Sequence, residues 1–204
     1  PPPRPHERIR EHYVPRIHRG RENFDVLDWA SASSQQIRFG VLTEVVELPG
    51  RSLLDVGSGL GDLYDYLRRN EIEVDYTGVD ILPEMVATAG RLHPEARFVA
   101  ADVFSESPFA PASFDVAFCS GTFNLNVGNN REFLAAALPT LLALARDAAV
   151  VNLLIGWKTG GDGKYYVFRP GDVEKMVRDL PCRLRIVDGY LPNDFTVVLE
   201  KPGT

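Results

Sequence analysis

The sequence predicts an α/β fold: a seven-stranded, mostly parallel sheet with helices on both faces, an antiparallel last strand, and helices ahead of the first strand. Three observations carry that expectation. Apolar runs of strand length alternate with helix-length amphipathic stretches from residue 52 to residue 155, the pattern of parallel strands joined by crossover helices. Acidic or small residues stand at the ends of successive runs, at Asp80, Asp102 and Cys119-Ser120-Gly121. The chain then ends differently, with strand-like runs over 183–187 and 195–200 joined by Asp188-Gly189 and Pro192-Asn193-Asp194, turn chemistry suited to a hairpin.

In chain order, residues 1–5 are proline-rich and read as extended or disordered. Ile9, Tyr13 and Ile17 recur every four residues between His6 and about His18, which predicts a short amphipathic helix, with Pro15 placing a break or kink in it. Residues 19–23 read as a polar linker. Phe24, Val26, Leu27 and Trp29 form an apolar cluster, and Ser31-Ala32-Ser33-Ser34 looks like a serine-capped helix start. Ile37, Val41, Leu42, Val45, Val46 and Leu48 are the expected buried face of that helix, which Pro49-Gly50 stops. Beyond the first strand, a helix to about Asn70 precedes a strand over 74–80; Pro83 opens a helix closed by His93-Pro94. Strands over 97–102 and 113–121 follow, then a long helix over 131–146 with Pro139 as an interior break, a strand over 148–155, a flexible loop over 160–164 and a helix over 170–180.

The whole chain sets bounds. Its 204 residues suffice for one domain with appendages, burying roughly 70% of the unfolded surface; we read 1–50 as a helical extension or lid and 51–204 as one compact unit. No apolar run approaches the roughly 18 residues of a membrane span, and the N-terminus does not resemble a secretory signal. Cys119 and Cys182 lie far apart with no metal-ligand spacing, as reduced packing residues of a cytoplasmic protein do. A net charge of −6 argues against a duplex-coating protein, although residues 1–21 carry six arginines against Glu7 and Glu11.

The stretch Ser52-Leu53-Leu54-Asp55-Val56-Gly57-Ser58-Gly59-Leu60-Gly61-Asp62-Leu63 reads as buried strand, tight loop and helix start. Glycine permits positive φ and close approach of a ligand, and free N–H groups at a helix start favour electron-rich atoms. A dinucleotide fingerprint would place its third glycine at position 62, where this chain has Asp62. That carboxylate would repel a pyrophosphate and suits a ligand carrying an ammonium or sulfonium. The pattern hydrophobic-Asp-x-Gly-x-Gly-x-Gly resembles the first motif of the class I S-adenosylmethionine-dependent methyltransferases.

Ligands of open α/β sheets bind outside the carboxyl ends of the strands. Asp80, 23 residues beyond Gly57, is placed to accept hydrogen bonds from a ribose diol. The resemblance implies S-adenosyl-L-methionine as cofactor, with Asp102 accepting the adenine amino group, Val103 offering a backbone N–H, and Ile81 and Leu82 as apolar walls. It also implies contacts from Gly57, Ser58, Gly59, Asp62, Leu63, Cys119, Ser120 and Gly121. Each has a plainer alternative: Asp55 either holds the loop or meets the ligand's amino group, Asp80 caps a helix, Asp102 caps a turn, and Asp62 is a first-turn acid. Arg38 is the cation that the resemblance offers the donor's carboxylate, against a surface arginine; Trp29 and Phe24 are either a lid or core.

A sulfonium already activates its methyl group, so the protein's work is alignment and exclusion of water, and a base is needed only where the acceptor loses a proton. No catalytic residue is assigned; Tyr165, Tyr166, His12, Tyr13 and His18 are acceptor-side candidates. Cys119-Ser120-Gly121-Thr122-Phe123-Asn124 stands where methyltransferases of DNA base amines resemble one another in an Asn/Asp-Pro-Pro-aromatic turn, which argues against DNA. The expected acceptor is therefore a small molecule methylated on oxygen or nitrogen. The alternatives are RNA reached by the basic arm and a non-catalytic nucleoside-binding protein, with a nicotinamide-dependent oxidoreductase disfavoured by Asp62.

Overall fold

The computed structural model describes residues 5–17, 22–156 and 163–203. The proline start at 1–4, His18, the linker residues 19–21 and most of the 160–164 loop lie outside them. Among the described residues, seven strands form one sheet in the order β3-β2-β1-β4-β5-β7-β6: β1 Ser52–Val56, β2 Asp75–Asp80, β3 Arg97–Ala100, β4 Phe114–Ser120, β5 Ala145–Leu154, β6 Arg183–Asp188 and β7 Asp194–Glu200. Strands β1 to β5 run parallel, and β7 is antiparallel to both β5 and β6. The chain travels outward from β1 to β3 and returns to β4 on the other side of β1. That reversal opens a crevice above the tips of β1 and β4.

Residues of opposite parity on β1 feed two cores. Leu53 packs with Phe39 and Leu42 of α3 (Ala32–Val45) and with Leu63 and Leu67 of α4 (Asp62–Arg69). Leu54 and Val56 pack instead with Leu134 and Leu138 of α6 (Asn130–Leu144) and with Val173 and Val177 of α7 (Pro170–Val177). A third, smaller cluster joins Val26 of α2 (Asn23–Val26) to Leu60, Leu82 and Met85 of α5 (Pro83–Leu92), with Ile9 and Tyr13 of α1 (Pro5–Ile17) against it. It brings the N-terminal helices over the strand tips.

Several sequence expectations need correction. Neither proline ends its helix: α1 continues two residues past Pro15, and α6 runs through Pro139. A mid-helix proline costs roughly 3 kcal/mol, but α6 completely buries Leu134, Leu138 and Leu141, each contributing about 1.5–3 kcal/mol. Burial wins there. Helix α3 is capped as expected, the Ser31 hydroxyl accepting the Ser34 N–H at 3.1 Å, but its buried face is rotated. Ile37 is 40% exposed, while polar Gln35 and Arg38 point inward because each finds a carboxylate partner. Strand β3 stops at Ala100, which leaves Asp102 in the following turn.

Candidate functional site

The glycine loop is pinned to the neighbouring strand before any ligand is considered. The N–H groups of Gly57 and Ser58 both donate to the Val79 carbonyl, at 2.8 and 3.1 Å. Gly57 has φ +76°, and a Cβ there would lie 2.2 Å from Thr122 Oγ1, so backbone and space both require glycine. The Thr122 hydroxyl donates to the Val56 carbonyl at 3.3 Å, joining the loop to the β4 tip. At the start of α4, Asp62 accepts Asn23 Nδ2 at 2.6 Å and Gln35 Nε2 at 2.8 Å. Both of its oxygens thus tie α2 and α3 to the loop, and Asp62 does not line the crevice.

The crevice is a cavity of about 550 Å³, within the range of roughly 300–1,000 Å³ usual for small-molecule sites. It runs along the strand tips in spatial order. Asp102 and Val103 stand beyond β3; Asp80, Ile81 and Leu82 at β2; Gly57 and Gly59 at β1; and Ser120 and Gly121 at β4. Asp80 accepts the Gly59 N–H at 3.0 Å on one oxygen and the Leu82 N–H at 2.9 Å on the other. It braces the loop and the next helix at once. Burial pushes its carboxyl above the usual carboxylate range, although those backbone hydrogen bonds pull the other way. Asp102 caps its own turn through the Phe104 N–H at 3.0 Å and pairs with His6 of α1 at 3.1 Å.

Five residues of the expected set are not on the cavity wall. Leu63 and Cys119 are core residues, and burial pushes the Cys119 thiol up to about 12, so it stays protonated and inert. Ser58 is buried, Asp62 is committed as above, and Asp55 is buried within β1, accepting the Tyr76 hydroxyl at 2.7 Å.

Burial raises the Asp55 carboxyl to about 7, partly opposed by the Tyr76 hydrogen bond and reinforced by Asp80 and Asp62. The native state therefore keeps a proton that the unfolded chain loses near pH 4. The stability that Asp55 contributes is full below that pH, falls between about pH 4 and 7, and is gone above that range. Asp55→Asn is expected to remove this fall, whose slope approaches about 1.4 kcal/mol per pH unit at its steepest. Urea unfolding of both proteins across that range measures it; parallel curves would show that Asp55 ionises normally.

Arg38 lines the cavity but is not a free fork. It is 5% exposed, pairs through Nε and Nη2 with Asp194, and donates from Nη1 to the Ser34 carbonyl at 2.8 Å. Trp29 stacks on its guanidinium, 4.5 Å from the ring centroid. The same ring packs over Gly121, where a Cβ would come within 2.8 Å of it. Trp29 thus covers the β4 tip, whereas Phe24 is absent from the cavity wall.

Sequence reasoning missed Asp28. Its backbone sits at φ +62°, rare for a residue with a side chain, and its carboxylate gathers four partners. His12 Nε2 lies 3.0 Å away, Arg16 Nη2 2.9 Å and the Tyr165 hydroxyl 2.6 Å, with the Lys164 ammonium in contact as well. Burial pushes the Asp28 carboxyl up, but Lys164, Tyr165 and Arg16 outweigh it and hold the group below its usual range. Of the acceptor-side candidates, Tyr13 and Tyr165 reach the cavity, His12 stands behind Asp28, and Tyr166 packs in the core against Phe168.

Residues 53–142 match the model of a family described as a methyltransferase domain. The chain is 30% identical over 157 residues, 74% of its length and 93% of the relative's, to Rv1506c of Mycobacterium tuberculosis, whose name places it among the methyltransferases. Among solved structures, magnesium protoporphyrin IX methyltransferase of Synechocystis PCC 6803, crystallised with S-adenosylhomocysteine, superposes with a TM-score of 0.69 at 18% identity, covering 97% of this chain and 100% of that one. The 1,6-didemethyltoxoflavin N1-methyltransferase of Burkholderia thailandensis gives 0.68 at 22% identity, covering 100% and 92%. These two likenesses are of fold.

Proposed function

The chain belongs to the class I S-adenosylmethionine-dependent methyltransferases, and from that premise we propose that it methylates an oxygen or nitrogen of a small-molecule acceptor. S-adenosylmethionine is the family's methyl donor, and its sulfonium supplies a methyl carbon already open to attack. The observation that carries the reading is the shared cavity: the glycine loop, Asp80 and Asp102 line one space at the topological switch point.

The residues fit a nucleoside. A carboxylate offers roughly four lone-pair sites; Asp80 spends part of these on the Gly59, Leu82 and Ile81 N–H groups, and the remainder would meet a ribose diol. Asp102 and Val103 would take the adenine edge, with Ile81 and Leu82 as apolar walls and Met85 and Phe104 lining the same cavity. In relatives, solved structures name porphyrin and toxoflavin precursors as substrates, which supports a small acceptor here. So does the N-terminal basic stretch. Of its arginines, Arg8, Arg10 and Arg16 lie in α1 and are engaged within the protein, with the Asn126 carbonyl, Glu84 and Asp28. An outward basic trough for RNA would need them free. Among the described residues no helix is long and apolar enough to cross a membrane.

Calorimetry tests this directly. S-adenosylhomocysteine is expected to bind and NAD is not; the reverse would overturn the reading. Incubation with methyl-labelled donor and metabolite extracts is then expected to label a small product, and absence of label from every extract would count against turnover.

A further inference from the structure

The cavity does not end at the nucleoside positions. Past Gly121 it continues over the β5 tip, where Leu154, Trp29 and Leu125 make an apolar wall and Asp28, Tyr165 and Asn124 bring polar atoms to it. Tyr165 is held by an isolated bridge to Leu125, and the next residue donates its N–H to the Asn124 carbonyl at 2.8 Å. Tyr165 and Asn124 are therefore fixed beside one another on one wall.

The hydrogen bonding there is one-sided. His12, Arg16, Lys164 and Tyr165 supply four donors to the two Asp28 oxygens, about as many as a carboxylate can accept. Three of them meet Oδ2 and Arg16 meets Oδ1, and the contact at Oδ2 fixes the direction of the Tyr165 proton. With that proton spent on Asp28 and the Lys164 ammonium hydrogen-bonded to the same oxygen, Tyr165 has only its remaining lone pair to offer the cavity. Asn124 beside it is 8% exposed, and its Oδ1 is buried away from the cavity. A ligand with a donor gains a hydrogen bond at the Tyr165 oxygen that a ligand without one does not make.

We propose that this end of the cavity is the acceptor subsite and that it selects a flat, apolar molecule presenting an O–H or N–H group to the Tyr165 hydroxyl oxygen. The inference rests on the methyltransferase reading and names the substrate class for it. Asp28 acts through Tyr165 as a positioning residue, anchored by α1 on one side and the segment after β5 on the other. The Trp29 ring and Leu154 supply the apolar contact, and Arg38 behind Trp29 keeps that ring in place.

The test uses the full chain saturated with S-adenosylhomocysteine, so that failure of the nucleoside site is seen first and separately. Three probes of one shape are titrated by calorimetry: 2-naphthol, 2-naphthylamine and 2-methoxynaphthalene, which lacks a donor. At least one of the first two is expected to bind at least tenfold more tightly than the third, and which one does distinguishes a hydroxyl from an amine acceptor. Tyr165→Phe is expected to shrink that ratio to within threefold while leaving S-adenosylhomocysteine binding intact. Asp28→Asn is expected to shrink it in part, because Tyr165 regains freedom to donate. Equal binding of all three, no binding of either donor probe to the loaded protein, or an unchanged ratio in Tyr165→Phe would overturn the proposal.

Discussion

Arg38→Ala is expected to lower the free energy of unfolding by about 3–5 kcal/mol, the cost of stranding one partner of a buried ion pair. The stranded group is Asp194, 1% exposed at the start of β7, where Asn152 Nδ2 at 3.3 Å would be its remaining side-chain partner. Arg38 also ties α3 to the sheet's antiparallel side, so its loss loosens the helix leading into β1. Asp194→Asn is expected to cost less, since an amide oxygen can still accept one guanidinium hydrogen bond. The double variant Arg38→Met, Asp194→Leu removes both charges and is expected to recover much of the loss, because apolar replacement of a buried pair is often neutral or better. A double-mutant cycle by urea unfolding checks all three. The same double variant also decides what Arg38 is for. If the pair is structural, S-adenosylhomocysteine affinity is kept within threefold; if Arg38 holds the donor's carboxylate, affinity falls more than tenfold.

That pair illustrates what a single sequence cannot reveal. Strand and helix positions were legible from local periodicity, because buried parallel strands and amphipathic helices repeat within a few residues. The loop and Asp80 were legible because the β1-α4-β2 unit fixes their separation. Partner choice is different: Arg38 and Asp194 are 156 residues apart, and nothing near either announces the other. The rotation of α3 that exposes Ile37 follows from such long-range partners, Asp62 for Gln35 and Asp194 for Arg38, which apolar counting cannot weigh.

Asp28 was hidden for a related reason. Its partners come from α1 and from residues 164 and 165, two segments whose meeting is set by how α1 lies over the strand tips. A usable signal was present all the same. Asp28 interrupts an apolar cluster between Leu27 and Trp29, just before the Ser31 cap, and an acid drawn into an apolar cluster calls for partners from elsewhere in the chain. The excess of arginine in residues 1–21 left RNA open as an alternative when read as net charge. Among the described arginines, Arg8, Arg10 and Arg16 face internal partners instead.

The second large effect is expected at Asp80. Asp80→Ala should weaken S-adenosylhomocysteine binding at least a hundredfold, since two charge-assisted hydrogen bonds to a ribose diol are together worth about 3–6 kcal/mol. It also releases the Gly59 and Leu82 N–H groups, so the loop itself loses its brace. Asp80→Asn keeps the shape but has only one acceptor oxygen for those N–H groups and the sugar, and is expected to fall between wild type and alanine. Acid should mimic the substitution. Because burial raises the Asp80 carboxyl, affinity is expected to decline on acidification at a pH above the ordinary carboxylate range, and Asp80→Asn should lose that dependence. Asp102, which also lines the cavity and shares its carboxylate with Phe104 and His6, is the internal comparison: Asp102→Ala should cost less, because adenine keeps its apolar walls and the Val103 backbone. If Asp80→Ala leaves affinity within threefold while lowering stability, Asp80 is a brace for the glycine loop and the ribose must be held elsewhere.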